Sequence, residues 1–138
     1  MKRVALVDTN ILVASISARD PDNRRALATL RDSRLHLIIP ALCVAETCYF
    51  IERREGPLVE ARFLESLASM LVIAPEPEDW ARIAQLVRQY ADFPIGGTDA
   101  SIVALAERLK AETIITLDRR HFERVRPRHV ERFRLLPE

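Results

Sequence analysis

Short apolar runs alternate with helical patterns along this chain, and that alternation limits the folds open to it. Each run is about as long as one buried strand, and the runs occupy residues 4–7, 35–39, 70–74, 113–117 and, more briefly, 133–136. Continuous apolar runs are typical of parallel strands, whose two faces are both covered. We therefore expect an α/β sandwich, with a mostly parallel sheet between layers of helices.

The segments between the runs carry helical periodicity. The helix at 41–54 is apolar almost all round, which predicts burial on most sides. Phe63 and Trp80 are expected to face the core, and Thr98 or Asp99 to cap the helix that follows them. The predicted helices cover residues 11–17, 21–32, 41–54, 58–69, 78–90 and 98–109.

The length and composition fit a single folded domain over residues 1–138. Apolar residues make up 49% and charged residues 30%, which excludes a disordered chain. No apolar run approaches the ~20 residues of a membrane span, and residues 4–7 are too short for a secretion signal. A cytoplasmic protein with no membrane partner is expected. Cys43 and Cys48 are five apart, which favours two core residues over a disulfide.

Acidic residues stand where two of the predicted strands end. Asp8 follows the first run and Asp118 follows the fourth. The carboxyl ends of parallel strands form the edge where α/β proteins bind ligands, so both side chains are expected there. Asp99 begins a helix just after Gly96 and Gly97. Taken singly, each of these acids is more often a helix cap or a favourable charge at a helix start than a catalytic residue.

Glu46 has no such local explanation. It lies mid-helix in the most apolar part of the chain, and the segment 35–51 contains no Lys or Arg. Burial of an unpaired carboxylate costs several kcal/mol, so we expect Glu46 to be neutral, paired at long range, or bound to a cation.

Converging carboxylates repel one another unless a divalent cation neutralises them. A ligand set made only of oxygens favours Mg²⁺ or Mn²⁺. Such a site suits phosphodiester hydrolysis, in which the ion activates water and offsets charge on the phosphate. The candidate metal ligands and catalytic residues are Asp8, Glu46, Asp99 and Asp118.

The end of the chain is basic. Residues 119–138 contain seven Arg and three Glu, although the whole chain carries a net charge of only +1. Arg119 and Arg120 follow Asp118 directly, where they can hold an RNA phosphate or simply neutralise the acids. Aromatic residues do not interleave regularly with these arginines, so no pattern suggests base stacking. For His121 a local hydrogen bond is favoured over a role as general acid.

Four segments together resemble the PIN-domain ribonucleases, and more narrowly the VapC-type toxins of bacterial toxin–antitoxin pairs. Any one segment is weak, but their order and spacing match the family over essentially the whole chain. One departure is that Arg119 follows the last acid, near where some PIN nucleases carry a further acid or Asn. The matching segments are residues 7–12, 40–46, 97–106 and 116–122.

The resemblance implies a PIN α/β/α sandwich with a parallel sheet of about five strands. It implies that the four acids bind Mg²⁺ or Mn²⁺ and cut single-stranded regions of structured RNA, such as tRNA or rRNA. It also implies a VapB-like antitoxin that blocks the site, and a homodimer. Thr116 matches a polar residue near the family's metal site, and Thr9 and Asn10 are expected to support the site with it.

Three other functions compete with this interpretation. A non-catalytic PIN-like module that binds RNA or protein has no need of four converging acids. A phosphotransferase with an aspartyl nucleophile typically carries a second Asp two residues after the first, where this chain has Asn10. A nuclease that cuts DNA would use the same acids.

Overall fold

A five-stranded parallel sheet forms the centre of the computed structural model, which describes residues 1–93 and 95–138. The strand order is β3-β2-β1-β4-β5, and helices flank the sheet. The expected α/β sandwich is confirmed. The strands are β1 (Arg3–Val7), β2 (Leu35–Pro40), β3 (Val72–Ile73), β4 (Thr113–Ile115) and β5 (Arg134–Leu136).

Strand β1 lies in the middle of the sheet because its second half is fully apolar. Ala5, Leu6 and Val7 are all 0% exposed. Leu6 is in register with Ile38 of β2 and Ile114 of β4, so the three strands run side by side toward the same edge. That edge receives the residue after β1, which is Asp8.

Strand β3 is shorter than its apolar run suggests. Of residues 70–74 only Val72 and Ile73 pair with β2, and Met70 and Leu71 remain exposed. The strand expected over 70–74 is therefore present but shorter, and it is less buried than its apolar sequence suggests, because β3 is the outermost strand and has a neighbour on one side only.

Seven α-helices and one short 3-10 turn, Leu67–Ser69, surround the sheet in the part of the chain that is described. Gly56 ends α3 with a φ of 87°, a conformation that favours glycine, and Pro57 then begins α4. The helices are α1 (Thr9–Ile16), α2 (Asn23–Leu30), α3 (Ala41–Glu55), α4 (Pro57–Ser66), α5 (Asp79–Gln89), α6 (Gly97–Leu109) and α7 (Arg119–Arg124).

Helix α6 is the most deeply buried of these helices, and every residue from 100 to 107 is buried. Gly96 is its N-cap residue, and no side chain caps its first turn. The prediction that Thr98 or Asp99 caps this helix is therefore wrong. Part of the predicted loop 91–97 lies outside the described residues, at Pro94.

Helix α5 packs on α6 with a different face from the one predicted. Phe63 of α4 is buried as expected, at 3% exposed, but Trp80 is 51% exposed. The inward face of α5 carries Ile83 and Leu86, which are 6% and 0% exposed. It also carries Asp79, which is buried and forms a 2.8 Å ion pair with Arg108. That pairing with α6 explains why a charged residue lies on the buried face.

Helix α3 is buried along one narrow stripe only. Its buried residues are Cys43, Thr47 and Ile51, spaced four apart, whereas Ala45 and Glu46 are exposed. The prediction that α3 is covered on most sides is wrong, and so is the burial inferred for Glu46. Both cysteines are free thiols, and burial raises the pKa of the Cys43 thiol, which keeps it neutral. Across the described residues, no helix is long and apolar enough to cross a membrane.

Candidate active site

The ends of β1 and β4 are joined through two side chains. The backbone N–H of Asp8 donates to the carbonyl of Ile115 at 2.9 Å. The Thr116 hydroxyl donates to Asp8 Oδ2 at 2.8 Å and accepts from the backbone N–H of Asp118 at 3.0 Å. Two acids separated by 110 positions in the chain are thereby fixed relative to each other at one edge of the sheet.

Asn10 ties the same two segments together from the first turn of α1. Its Oδ1 accepts from the backbone N–H of Leu117 at 3.0 Å, and its Nδ2 donates to Asp8 Oδ2 at 3.3 Å. The backbone N–H of Thr9 donates to Asp8 Oδ1 at 2.7 Å. Thr9, Asn10 and Thr116 thus give the Asp8 carboxylate one defined orientation.

All four acids singled out from the sequence line one cleft of about 510 Å³. Asp8 reaches it from the end of β1, Glu46 from α3, Asp99 from the first turn of α6, and Asp118 from the start of α7. The main chain at Gly96 and Gly97 forms part of the wall beside Asp99. The fold therefore brings together carboxylates from four separate segments of the chain.

Asp8 is the most strongly perturbed acid of the cleft. Its burial, then the negative charge of Asp99, raise its pKa from 3.8 to about 7, and the charge of Glu46 adds to this. The hydrogen bonds from Thr116 and Thr9 act in the opposite direction but do not compensate. Among the described residues only neutral donors contact this carboxylate. A buried carboxylate surrounded by other acids is a natural ligand for a cation.

His121 lies between the two acids on the other side of the cleft. Its Nδ1 is 2.9 Å from Asp99 Oδ2 and 3.1 Å from Asp118 Oδ2. Burial raises the pKa of Asp99, the hydrogen-bonded His121 lowers it, and the charges of Glu46 and Asp118 raise it further, with a net upward shift. The local hydrogen bond expected for His121 is therefore present, although its partners are the acids themselves.

Glu46 belongs to the cleft although it is exposed. Its charge raises the pKa of both Asp8 and Asp99, so it acts on the two most buried acids. Glu46 was selected from the sequence because it was expected to be buried and unpaired, and the structure does not support that burial. What places it at the site is its position on the open side of α3, facing the carboxyl ends of the strands.

The donor set of the cleft fits a hard divalent cation. Four carboxylates supply oxygen ligands, and Asp8 is held in place by neutral partners. Within residues 1–93 and 95–138, no three His, Cys, Asp or Glu side chains already lie as close together as ligands of one ion. Small rotations of exposed side chains such as Glu46 and Asp118 would be needed to gather the oxygens.

Two further residues of the cleft were missed by the sequence reasoning. Phe50 and Arg54, one turn apart on α3, both line it, and the Arg54 guanidinium lies 5.7 Å from the centre of the Phe50 ring. Their spacing of four residues was the available signal. Arg54 also makes a long ion pair of 3.9 Å with Asp20, which is part of the same wall. The cleft therefore offers a cation and an aromatic ring beside the acids.

The two arginines that follow Asp118 differ in their surroundings. Arg119 points toward the end of the chain, where it donates to the Pro137 carbonyl at 3.1 Å and pairs with Glu123 at 3.4 Å. Arg120 is exposed and lines a neighbouring pocket. Neither arginine lines the acidic cleft itself, and of the two only Arg119 makes an ion pair among the described residues.

Comparison with known proteins identifies the family to which a chain of this fold belongs. Residues 5–127 match a family described as PIN domain. The chain is 36% identical to ribonuclease VapC26 of Mycobacterium tuberculosis over 137 residues, which cover 96% of this chain and 99% of that protein.

Two solved structures share the fold. The M. tuberculosis toxin VapC20, which cleaves the sarcin–ricin loop, has a TM-score of 0.75 at 15% identity, over 80% of this chain and 86% of its own. A toxin–antitoxin complex from Klebsiella pneumoniae has a TM-score of 0.69 at 25% identity, over 88% of this chain and 92% of its own.

Proposed function

The chain belongs to the PIN-domain family and is a relative of the VapC ribonucleases, and from this premise we propose that it is a divalent-metal-dependent endoribonuclease. The observation that carries the proposal is the convergence of Asp8, Glu46, Asp99 and Asp118 on one cleft at the carboxyl edge of the sheet. Family membership supports ribonuclease chemistry, and the acids supply a place for it.

The four acids would hold Mg²⁺ or Mn²⁺, which supplies a Lewis acid that activates water and offsets charge on the scissile phosphate. Asp8 is the anchor of this set, because its hydrogen bonds to Thr9 and Thr116 fix its position before any ligand arrives. Asp99 and Asp118 share His121, whose Nδ1 lies within hydrogen-bonding distance of both carboxylates. Glu46, on the open side of α3, would supply the fourth carboxylate.

The substrate in this proposal is a single-stranded region of structured RNA, such as a loop of tRNA or rRNA. The phosphate needs a positive partner near the acids, and Arg54 lies in the cleft itself. The Arg54 guanidinium itself lies over the Phe50 ring, and its outer side is a planar surface on which an unpaired base could stack. The similarity to a ribonuclease and to a toxin that cleaves an RNA loop supports this substrate class.

A VapB-like antitoxin and a homodimeric state are part of the same proposal. The Klebsiella relative was determined as a toxin–antitoxin complex, which supports a protein inhibitor here. The chain also exposes large apolar side chains, among them Leu58 at 80% and Trp80 at 51%. Exposed apolar residues of this size favour protein contacts. A cytoplasmic location, where RNA and an antitoxin are accessible, completes the proposal.

Cleavage of end-labelled total RNA by the purified, antitoxin-free chain tests this function. Discrete cuts are expected with Mn²⁺ or Mg²⁺, and none with EDTA. Asp8→Asn, purified in parallel, controls for contaminating nucleases and should be inactive. Metal-loaded protein that cuts no RNA would contradict the proposal and favour a PIN-like binding module. Cleavage of DNA in place of RNA would keep the chemistry and change the substrate.

A further inference from the structure

A second pocket lies beside the acidic cleft and is not explained by the catalytic proposal. It has a volume of about 540 Å³ and is lined by Phe93, Arg120, Glu123, Arg124 and Arg126. We call it the Phe93 pocket. It is joined to the cleft through His121, whose ring meets the Phe93 ring edge to face at a centroid distance of 5.5 Å.

The Phe93 pocket combines an aromatic ring with uncompensated positive charge. The Arg124 guanidinium lies 4.8 Å from the centre of the Phe93 ring. Arg120 and Arg124 are both exposed, and neither makes an ion pair with any residue that the structure describes. Glu123, the one acid of the pocket, is turned toward Arg119.

The backbone of the Phe93 pocket is held in place by two hydrogen bonds of Arg126. The backbone N–H of Arg126 donates to the Tyr90 hydroxyl at 2.9 Å, which fixes the segment after α7 against the end of α5. The Arg126 guanidinium donates to the Glu123 carbonyl at 2.7 Å. These bonds order the pocket before a ligand arrives, which lowers the cost of binding.

No local pattern in the sequence predicts this arrangement, because Phe93 precedes Arg124 by 31 positions and the two aromatic residues of the basic tail, Phe122 and Phe133, are buried. The fold supplies the missing aromatic ring from the segment before α6. Aromatic rings and arginine planes together are the usual platform for unpaired bases, since every base has a flat face.

We propose that the Phe93 pocket binds one unpaired nucleotide of the RNA strand, adjacent to the phosphate that is cut. The base stacks on the Phe93–Arg124 pair, and Arg120 contacts the neighbouring backbone phosphate. The inference rests on the proposed nuclease function for the identity of the strand. It adds a reason why the enzyme would prefer single-stranded regions, since the faces of a paired base are covered by its neighbours in the duplex and cannot stack on protein side chains.

Binding of a labelled single-stranded RNA, followed by fluorescence anisotropy, tests the pocket without requiring cleavage. The full chain carrying Asp8→Asn, with Mg²⁺ present, serves as the background. Arg124→Gln and Phe93→Leu should each weaken binding by about 5- to 100-fold, the range of a lost stacking contact. Phe93→Tyr keeps the ring and should bind normally. Arg120→Gln should reduce the slope of log affinity against log salt by about 0.7, as expected for one lost phosphate contact.

Arg24→Gln provides the matched control, because Arg24 is an exposed residue of α2 that lines neither pocket. It removes the same charge and should leave the affinity within about twofold. Equal weakening in this control would show that only overall charge matters and would overturn the proposal. Unchanged binding in both Arg124→Gln and Phe93→Leu would also overturn it.

Cleavage assays in the wild-type background separate this proposal from the nuclease proposal. Pocket variants should raise KM and leave kcat unchanged, because the chemistry takes place at the acids. A fall in kcat at constant KM would mean that Phe93 acts only through His121, and the pocket would be rejected. If wild-type protein cuts no RNA but the pocket variants bind it more weakly, the nuclease proposal fails and the pocket stands.

Discussion

Replacing Asp8 with Asn should change the stability of the metal-free protein in a way that depends on pH. Asp8 is 4% exposed, and its pKa is raised from 3.8 to about 7 by burial and then by Asp99. Folding therefore favours its protonated form. The stability it contributes is complete below about pH 4 and is lost as the pH rises through about 7. An Asn at this position carries no such penalty.

The size of the stability difference follows from the pKa shift of Asp8. A pKa change from 3.8 to about 7 corresponds to about 4 kcal/mol of lost stability above the upper value. Asn also has a cost, because it has one side-chain oxygen where Asp8 has two. In wild type the Thr9 backbone N–H donates to one carboxylate oxygen and the Thr116 hydroxyl donates to the other. Losing one such bond costs about 1 kcal/mol. At about pH 8 the variant should therefore be more stable than wild type by about 3 kcal/mol, or roughly 10 °C in Tm.

The assay is thermal unfolding in EDTA from about pH 4 to about pH 8. The advantage of Asp8→Asn should grow across this range, and at its acidic end only the cost of the lost hydrogen bond should remain. Asp32→Asn is the control whose effect should not change across this range, because hydrogen bonds from Arg34 lower the pKa of Asp32 to about 2 and the stabilisation that follows is complete above about pH 4. A difference in Tm between Asp8→Asn and wild type that is the same at every pH would contradict a raised pKa of Asp8 in the folded protein. Added Mn²⁺ should reverse the order, since only wild type gains stability from a bound ion.

Two further substitutions have matched partners in the chain. Thr116→Val removes the hydroxyl that orients Asp8, so it should cost about 1–3 kcal/mol and slow cleavage. Thr113→Val should be nearly neutral in urea unfolding, because its buried hydroxyl has no hydrogen-bond partner among the described residues; equal effects of the two would contradict the role given to Thr116. Leu86→Ala should destabilise by about 2–5 kcal/mol, because Leu86 is 0% exposed. Val87→Ala, at 39% exposed, should cost less than about 1 kcal/mol in the same assay.

The strand ends were predictable because one signal served two purposes. An apolar run that stops at an acid marks both a buried strand and the edge where it ends, so Asp8 and Asp118 were placed correctly. Parallel pairing then follows from the apolar character of the runs on both faces. The sheet order places β1 beside β4 and makes the two acids neighbours.

The buried faces of the helices were harder to predict than the strand ends, because the spacing of apolar residues does not show which of two apolar stripes is buried. On α5 the exposed stripe contains Trp80 and Val87, and the buried one contains Asp79, Ile83 and Leu86. A charged residue on a helix face argues against burial of that face. Only its ion pair with Arg108, on another helix, makes Asp79 compatible with burial.

The remaining features depend on contacts between distant segments. Helix α7 has six residues, five of them charged or His, and no apolar period to detect. The His121 contact to Asp99 spans 22 positions. The Phe93 pocket joins residues from before α6 and from α7. None of these leaves a local pattern in the sequence.

We propose that the four acids of the cleft act together as one catalytic metal site. The most direct test is RNA cleavage in Mn²⁺ by four variants that each remove one charge and keep the size: Asp8→Asn, Glu46→Gln, Asp99→Asn and Asp118→Asn. Two controls make the same changes elsewhere, Glu52→Gln on the exposed part of α3 and Asp32→Asn at the amino-terminal edge of the sheet. All four variants should fold and be inactive, and both controls should cut RNA like wild type. Cleavage at the wild-type rate by any of the four variants would show that the replaced acid is not part of the metal site and would contradict the proposed function.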